Sequence, residues 1–136
     1  MKANQKLRLS IWALTACVLC GYGISSAQKT AVPLVRIAEL EIDPAQLEAY
    51  KAALSEEIES SIRLEPGVLA LYAVSLKEHP NQIRIFETYA DKDAYESHLK
   101  TPHFTKYKTG TQRMIKALKL VETDPIRLGA KPNSPG

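Results

Sequence analysis

The chain has 136 residues, with 18 Lys and Arg against 15 Asp and Glu and a sequence pI near 8.8. Three of the basic residues and none of the acids precede Gln28, so the 109 residues from Gln28 onward carry 15 basic and 15 acidic side chains and are formally neutral. With no basic run interleaved with aromatics between Pro33 and Pro125, that balance argues against a nucleic-acid partner and fits a single small domain.

Residues 1–27 read as a targeting segment. Lys2, Lys6 and Arg8 form a basic start, and Leu9 to Leu19 (LSIWALTACVL) is apolar apart from two hydroxyl residues. Ser25 and Ala27 supply small residues at the −3 and −1 positions of a cut before Gln28. The apolar run falls short of the roughly 20 residues a helix needs to span a bilayer, so no stable membrane span is expected. The expectation is an exported domain, periplasmic or secreted. A second reading takes Leu14-Thr15-Ala16-Cys17 as similar to a lipobox, with Cys17 lipidated and the protein tethered as a lipoprotein. Cys17 and Cys20 both lie in this segment, so the domain beyond it has no disulfide, no thiol nucleophile and no cysteine metal ligand.

Leu34 to Ile42 (LVRIAELEI) alternates apolar and charged residues between Pro33 and Asp43-Pro44, which predicts a strand. Asp43 then caps a helix with Pro44 at its first position. Leu47, Tyr50, Leu54, Ile58 and Ile62 make its apolar stripe, and Glu48, Lys51, Glu56, Glu57 and Glu59 take the rest of its surface. Glu65-Pro66-Gly67 ends it. Val68 to Lys77 is a second strand, Glu78-His79-Pro80-Asn81 a turn, and Ile83 to Tyr89 a third strand, forming a hairpin. Ile83, Ile85, Glu87 and Tyr89 share one side of that third strand, with Arg84, Phe86 and Thr88 on the other. Asp91 caps a short helix through Leu99, and Thr101-Pro102 opens the next at once. Phe104, Tyr107, Thr111 and Met114 or Ile115 line one side of it. Ala117 to Glu122 is the last strand. The domain is expected over 28–128, followed by a mobile Gly- and Pro-containing tail over 129–136.

The order β-α-β-β-α-β predicts an α+β, ferredoxin-like antiparallel sheet with helices on one face. The second strand is apolar on both faces, with Leu69, Leu71 and Ala73 on one and Val68, Tyr72, Val74 and Leu76 on the other. A second copy of the chain is the simplest cover for the open face, giving a homodimer.

Candidate chemistry is sparse. There is no HExxH, no cluster of His, Asp and Glu at metal-ligand spacing, no Gly-rich phosphate loop and no GxSxG, so no metal and no cofactor is expected. His79 lies in the hairpin turn and reads as a surface residue. His98 falls on the inward side of the short helix, and His103 in the first turn of the next, near the positive end of that helix's dipole. Across a helix break the two can face one cavity as general base or proton shuttle. The same two positions also suit one packed and one surface histidine. Tyr72, Phe86, Tyr95, Phe104 and Tyr107 can serve as core, as pocket wall, or as both.

Glu65-Pro66-Gly67-Val68, Phe86-Glu87-Thr88-Tyr89, Asp91-Lys92-Asp93-Ala94-Tyr95 and, above all, His98-Leu99-Lys100-Thr101-Pro102-His103-Phe104 resemble the antibiotic biosynthesis monooxygenase superfamily. The resemblance runs from about Leu34 to Glu122. It implies a ferredoxin-like fold that dimerises through open sheet faces as a dimeric α+β barrel. It also implies, in its quinol-oxidising and signal-isomerase branches, histidines at the positions of His98 and His103. The haem-degrading branch requires an Asn, a Trp and a His, which this domain lacks where they would stand.

The resulting expectation is an exported, cofactor-independent monooxygenase acting on a small aromatic or quinol substrate with O2. His98 or His103 would be the base, with Tyr72, Arg84, Phe86, Phe104 and Tyr107 around the substrate. Arg36 or Arg84 would steady the phenolate if its strand face points into the cavity. The alternatives are a signal-sugar isomerase-like enzyme and a non-catalytic dimer that binds an apolar ligand.

Overall fold

The computed structural model describes residues 32–131. The targeting segment expected over 1–27, with both cleavage alternatives and Cys17, lies outside the described residues, as does the chain beyond Lys131.

Strand β1 (Leu34–Ile42) is followed by a short 3-10 turn (Pro44–Gln46) and helix α1 (Leu47–Leu64). Then come β2 (Val68–Ser75), β3 (Gln82–Tyr89), α2 (Lys92–His98), α3 (Pro102–Thr111) and β4 (Ile115–Thr123). The four strands form one antiparallel sheet in the order β2-β3-β1-β4. This is the ferredoxin-like α+β arrangement that the element order predicts.

Alternation along β1 decides which side faces the helices. Ala38, Leu40 and Ile42 are buried there and join Tyr50, Leu54, Ile83 and Ile85 in the main core. A smaller cluster of Val68, Leu71 and Tyr89 packs under α2. Each large apolar side chain so buried contributes about 1.5–3 kcal/mol. Helix α1 packs on α3 and β2, and α2 packs on β2 and β3.

Several expectations shift. Asp43 does cap, accepting from the Ala45 N–H at 3.1 Å, but this tight contact starts the helix as a 3-10 turn before α1 proper. Simple alternation groups Val68 with Tyr72 and Leu69 with Leu71, yet Val68 is buried with Leu71, while Leu69 is exposed. A register shift between Val68 and Ala70 explains it, because the extra residue inverts the alternation. The buried line of α1 is Tyr50, Leu54, Glu57 and Ser61, not a wholly apolar stripe. Those steps of four, three and four keep one helix face, which places Glu57 inside and leaves Ile62 half exposed. Strand β2 stops at Ser75, short of Lys77, and β4 starts earlier than expected, at Ile115, which pairs with Ile42 across a bulge.

Among the described residues, no helix covers the outer face of the sheet. Tyr72 pairs with Phe86, Phe86 with Ile37, and Ile37 with Val121, so an apolar row crosses all four strands. The adjoining row runs Val74, Arg84, Glu39 and Lys119.

Candidate functional site

Between α1, α3 and the inner face of the sheet lies a cavity of about 530 Å³. Leu40, Leu54, Leu71, Ile85, Leu118 and Leu120 form much of its wall, and Phe104 and Tyr107 close it from α3. Charged and titratable groups interrupt this lining, among them Arg36, Glu57, Glu87 and His98, with Lys108 and Lys116 also on the wall. Arg36 and Glu87 are cross-strand partners on β1 and β3, so strand parity alone turns both inward.

His98 is the last residue of α2, and three local features fix it. Asp91 caps α2 by accepting from the Ala94 N–H at 2.8 Å. Thr101 donates its hydroxyl to the His98 carbonyl at 2.8 Å and accepts from the Phe104 N–H, stitching α2 to α3. Gly67 lets α2 sit close, since a Cβ there would lie 2.5 Å from the Ala94 Cβ. The imidazole is 3% exposed, between the rings of Tyr89 and Phe104 at 5.4 and 4.7 Å.

The carboxylate of Glu65 joins the two histidines. Its Oε1 accepts from His98 Nδ1 at 2.9 Å and from His103 Nε2 at 2.6 Å. Pro66 is the reason Glu65 points there. A residue before proline is driven out of the helical region, and Glu65 is extended at φ −113°, ψ 101°. The break that ends α1 therefore also aims this side chain. Burial pushes the Glu65 carboxyl up, but the hydrogen bonds from His98 and His103 outweigh it and hold the group below the usual carboxylate range. With Glu65 ionised, both nitrogens that touch it carry protons. Neutral His98 is then the Nδ1–H tautomer, and Nε2 is left as the proton acceptor, 3.6 Å from Glu57 Oε1.

Glu57 and Glu87 behave in the opposite sense. Burial raises the Glu57 carboxyl, although the Ser61 hydroxyl donates to it at 2.7 Å and His98 stands near. Burial likewise raises Glu87, which accepts from the Tyr89 hydroxyl at 3.2 Å. Burial also lifts the phenols of Tyr89 and Tyr107 well above their ordinary range and pushes Tyr50 to about 12. The Tyr50 and Tyr107 hydroxyls are 2.6 Å apart and share a hydrogen bond.

The candidate residues divide three ways. His98, Phe104 and Tyr107 line the cavity. His103 does not line it but stands behind Glu65. Tyr72, Arg84 and Phe86 are not in the cavity wall, because their register puts them on the outer face, so they touch no ligand held in this cavity. Arg36 lines the cavity and Arg84 does not.

Sequence spacing offers no metal-ligand cluster, yet the fold brings ligand atoms of Glu57, His98 and His103 within 4.8 Å of one another. His98 Nδ1 and His103 Nε2 are already engaged by the Glu65 carboxylate. The group is read as a hydrogen-bonded relay. Among the described residues, no helix is long and apolar enough to cross a membrane.

Glu57 and Glu65 escaped the sequence reading. Glu57 continues the Tyr50–Leu54 line and was detectable by position, not by polarity. Glu65 carried only the proline after it as a sign.

The sequence profile of the antibiotic biosynthesis monooxygenase family matches residues 33–110. A Bacteroides thetaiotaomicron protein, provisionally named an antibiotic biosynthesis monooxygenase, is 53% identical over 74% of this chain and 96% of its own, with a TM-score of 0.71. A provisionally named monooxygenase from Lactobacillus acidophilus is 29% identical over 65% of this chain but only 42% of its own, with a TM-score of 0.65. A Nitrosomonas europaea protein, at 22% identity over 71% of this chain and 92% of its own and a TM-score of 0.66, supports the fold alone. No functionally curated protein matches the chain significantly. The profile match, together with the identity to the Bacteroides protein, shows that this chain belongs to the antibiotic biosynthesis monooxygenase family.

Proposed function

We propose that this protein is a monooxygenase that inserts one oxygen atom of O2 into a quinol or related phenol, with His98 as the base. One observation carries the reading: an imidazole buried on an apolar cavity, its Nδ1 hydrogen-bonded to an ionised carboxylate and its Nε2 left to accept a proton. A pocket that merely held an apolar ligand would have no use for that arrangement. The largely apolar wall also suits a ring system better than a sugar, whose hydroxyls would need partners.

In this scheme the quinol hydroxyl gives its proton to His98 Nε2. The imidazolium formed lies between Glu65 and Glu57, which stabilise it. The quinolate passes one electron to O2, giving a semiquinone and superoxide. These combine at a ring carbon, forming a C–O bond and a hydroperoxide. Cleavage of the O–O bond with loss of that carbon's hydrogen releases water and leaves a hydroxyquinone. One quinol and one O2 give one hydroxyquinone and one water. The scheme uses no metal or organic cofactor. The protein supplies proton removal, orientation and exclusion of bulk water.

The reading includes a homodimer. The apolar row Tyr72, Phe86, Ile37 and Val121 is the face a second copy would cover, and Tyr72 and Phe86 are 63% and 45% exposed in the single chain. It also includes export directed by residues 1–27, with a cut before Gln28 or a lipid on Cys17. The mass of the mature N-terminus distinguishes these two.

The direct test is turnover of menadiol under ¹⁸O2. One labelled atom in the hydroxyquinone and one in water is the expected result. A product oxidised to the plain quinone, with no label, contradicts oxygen insertion.

A further inference from the structure

We propose that the ligand of this cavity is an anion, a phenol carrying a separate carboxylate, and that Arg36 is the residue that holds the carboxylate. The phenol half rests on the function proposed above, whereas the carboxylate half rests on Arg36 alone.

Arg36 projects from β1 toward the helices, with Glu87 of β3 and Glu122 of β4 as its cross-strand partners. Two acids beside an arginine would ordinarily consume its donors, and here they do not. Glu122 reaches only to 3.7 Å of one terminal nitrogen, with its own side chain 89% exposed. Glu87 takes its hydrogen bond from Tyr89, and burial raises its carboxyl despite the nearby guanidinium. The Nε of Arg36 is buried and has no hydrogen-bond partner, the one such side-chain atom among the described residues. Buried donors are nearly always satisfied, and a charged one left bare in an apolar wall is costly. An acceptor entering the cavity would relieve that cost.

The shape of the donor names the acceptor. A guanidinium presents paired N–H groups in one plane, which matches the two oxygens of a carboxylate. The plane is already set, because the guanidinium carbon lies 4.6 Å from the centre of the Tyr95 ring, in cation–π contact. The other acids on the cavity are Glu57 and Glu87, and burial raises both carboxyls.

Arg36 is also set apart from the base. Contact passes from the Arg36 guanidinium to Tyr95, from Tyr95 to Tyr89 at 5.3 Å, and from Tyr89 to His98 at 5.4 Å. The guanidinium and the imidazole are thus separate positions on the wall, with Glu87 near both. A ligand engaging both carries its phenol and its acid on different atoms of its ring skeleton. A cavity of about 530 Å³ has room for such a ligand.

The test is calorimetric binding under nitrogen, with no turnover. The probes are 6-hydroxy-2-naphthoate and its neutral carboxamide, titrated into the wild-type protein and Arg36→Gln. Wild type is expected to prefer the acid by about tenfold or more, the size of one charge-assisted pair. Arg36→Gln is expected to lose that preference while still binding the carboxamide. Equal affinities in wild type, an acid preference that survives in Arg36→Gln, or no binding of either probe to wild type overturns the proposal. Should Arg36→Gln lose the carboxamide as well, Arg36→Met, which keeps length and contact with Tyr95, is read in the same way. Loss of the carboxamide in both variants overturns the assignment and makes Arg36 a structural residue. An acid preference in a protein that turns over no quinol would sink the monooxygenase reading and leave this one standing.

Discussion

The two faces of the sheet are both rich in apolar residues, yet they are built for different purposes. The outer face sets Tyr72, Phe86, Ile37 and Val121 in a flat row, and the row beside it carries Arg84, Glu39 and Lys119. The inner face leaves a cavity and puts Arg36, Glu57, Glu87 and His98 on its wall. Apolar surface alone therefore does not mark the site. Buried charge held by hydrogen bonds does, because each such group costs free energy that packing alone has no reason to spend.

Four substitutions probe that difference. The largest effect is expected from Glu65→Gln, which keeps the shape and removes the charge that orients both histidines. Quinol-dependent oxygen uptake should fall by about 100-fold, within the range for a disturbed general base. Thermal or urea unfolding at neutral pH should show a loss of about 2 kcal/mol, typical of hydrogen bonds to a buried ion. The lowered carboxyl also fixes the sign with pH. Glu65 stabilises the fold above its unfolded value of 4.5, and that contribution disappears as pH falls through the lower folded value. The gap between wild type and Glu65→Gln should close in acid. A gap independent of pH contradicts the ionised carboxylate. Glu57, with its carboxyl raised by burial, runs the other way: Glu57→Gln should gain on wild type as pH rises from 4.5 through the folded value.

Next is Gly67→Ala. The new Cβ would meet the Ala94 Cβ at 2.5 Å, and α2 must move to admit it. Overpacking of this kind costs about 1–3 kcal/mol, and activity should drop because α2 carries His98. Full activity in a destabilised variant would separate α2 docking from the site. The smallest effect on the single chain is expected from Phe86→Glu, on the outer face. It should split the proposed dimer in sedimentation while changing the stability of each subunit by only about 0.5 kcal/mol. An unchanged sedimentation coefficient would mean that this face is not the contact.

Much of the fold was legible in the sequence because its punctuation is local. Asp43-Pro44, Glu65-Pro66-Gly67, Asp91 and Thr101-Pro102 each act within a few residues, and each marks an observed boundary. Strand parity set Ile83, Ile85, Glu87 and Tyr89 on one side, and all four face the helices. Parity failed at Val68, where one bulged residue reverses it. The site was half legible. His98 and His103 stood out by residue type and spacing. Glu65 did not, because its role depends on a contact with residues more than thirty positions away. The aromatic character of Tyr72 and Phe86 suggests substrate contacts, whereas register places them on the other side of the sheet.

The most direct measurement compares quinol-dependent oxygen uptake in wild type, His98→Ala and His103→Ala across pH. His98→Ala is predicted to lose about 100-fold or more, the scale of a missing general base. His103→Ala, which removes only one of the donors to Glu65, should lose about tenfold, in keeping with a residue that acts through another. Equal rates for all three proteins, or a larger loss in His103→Ala than in His98→Ala, would contradict the assignment of His98 as the base.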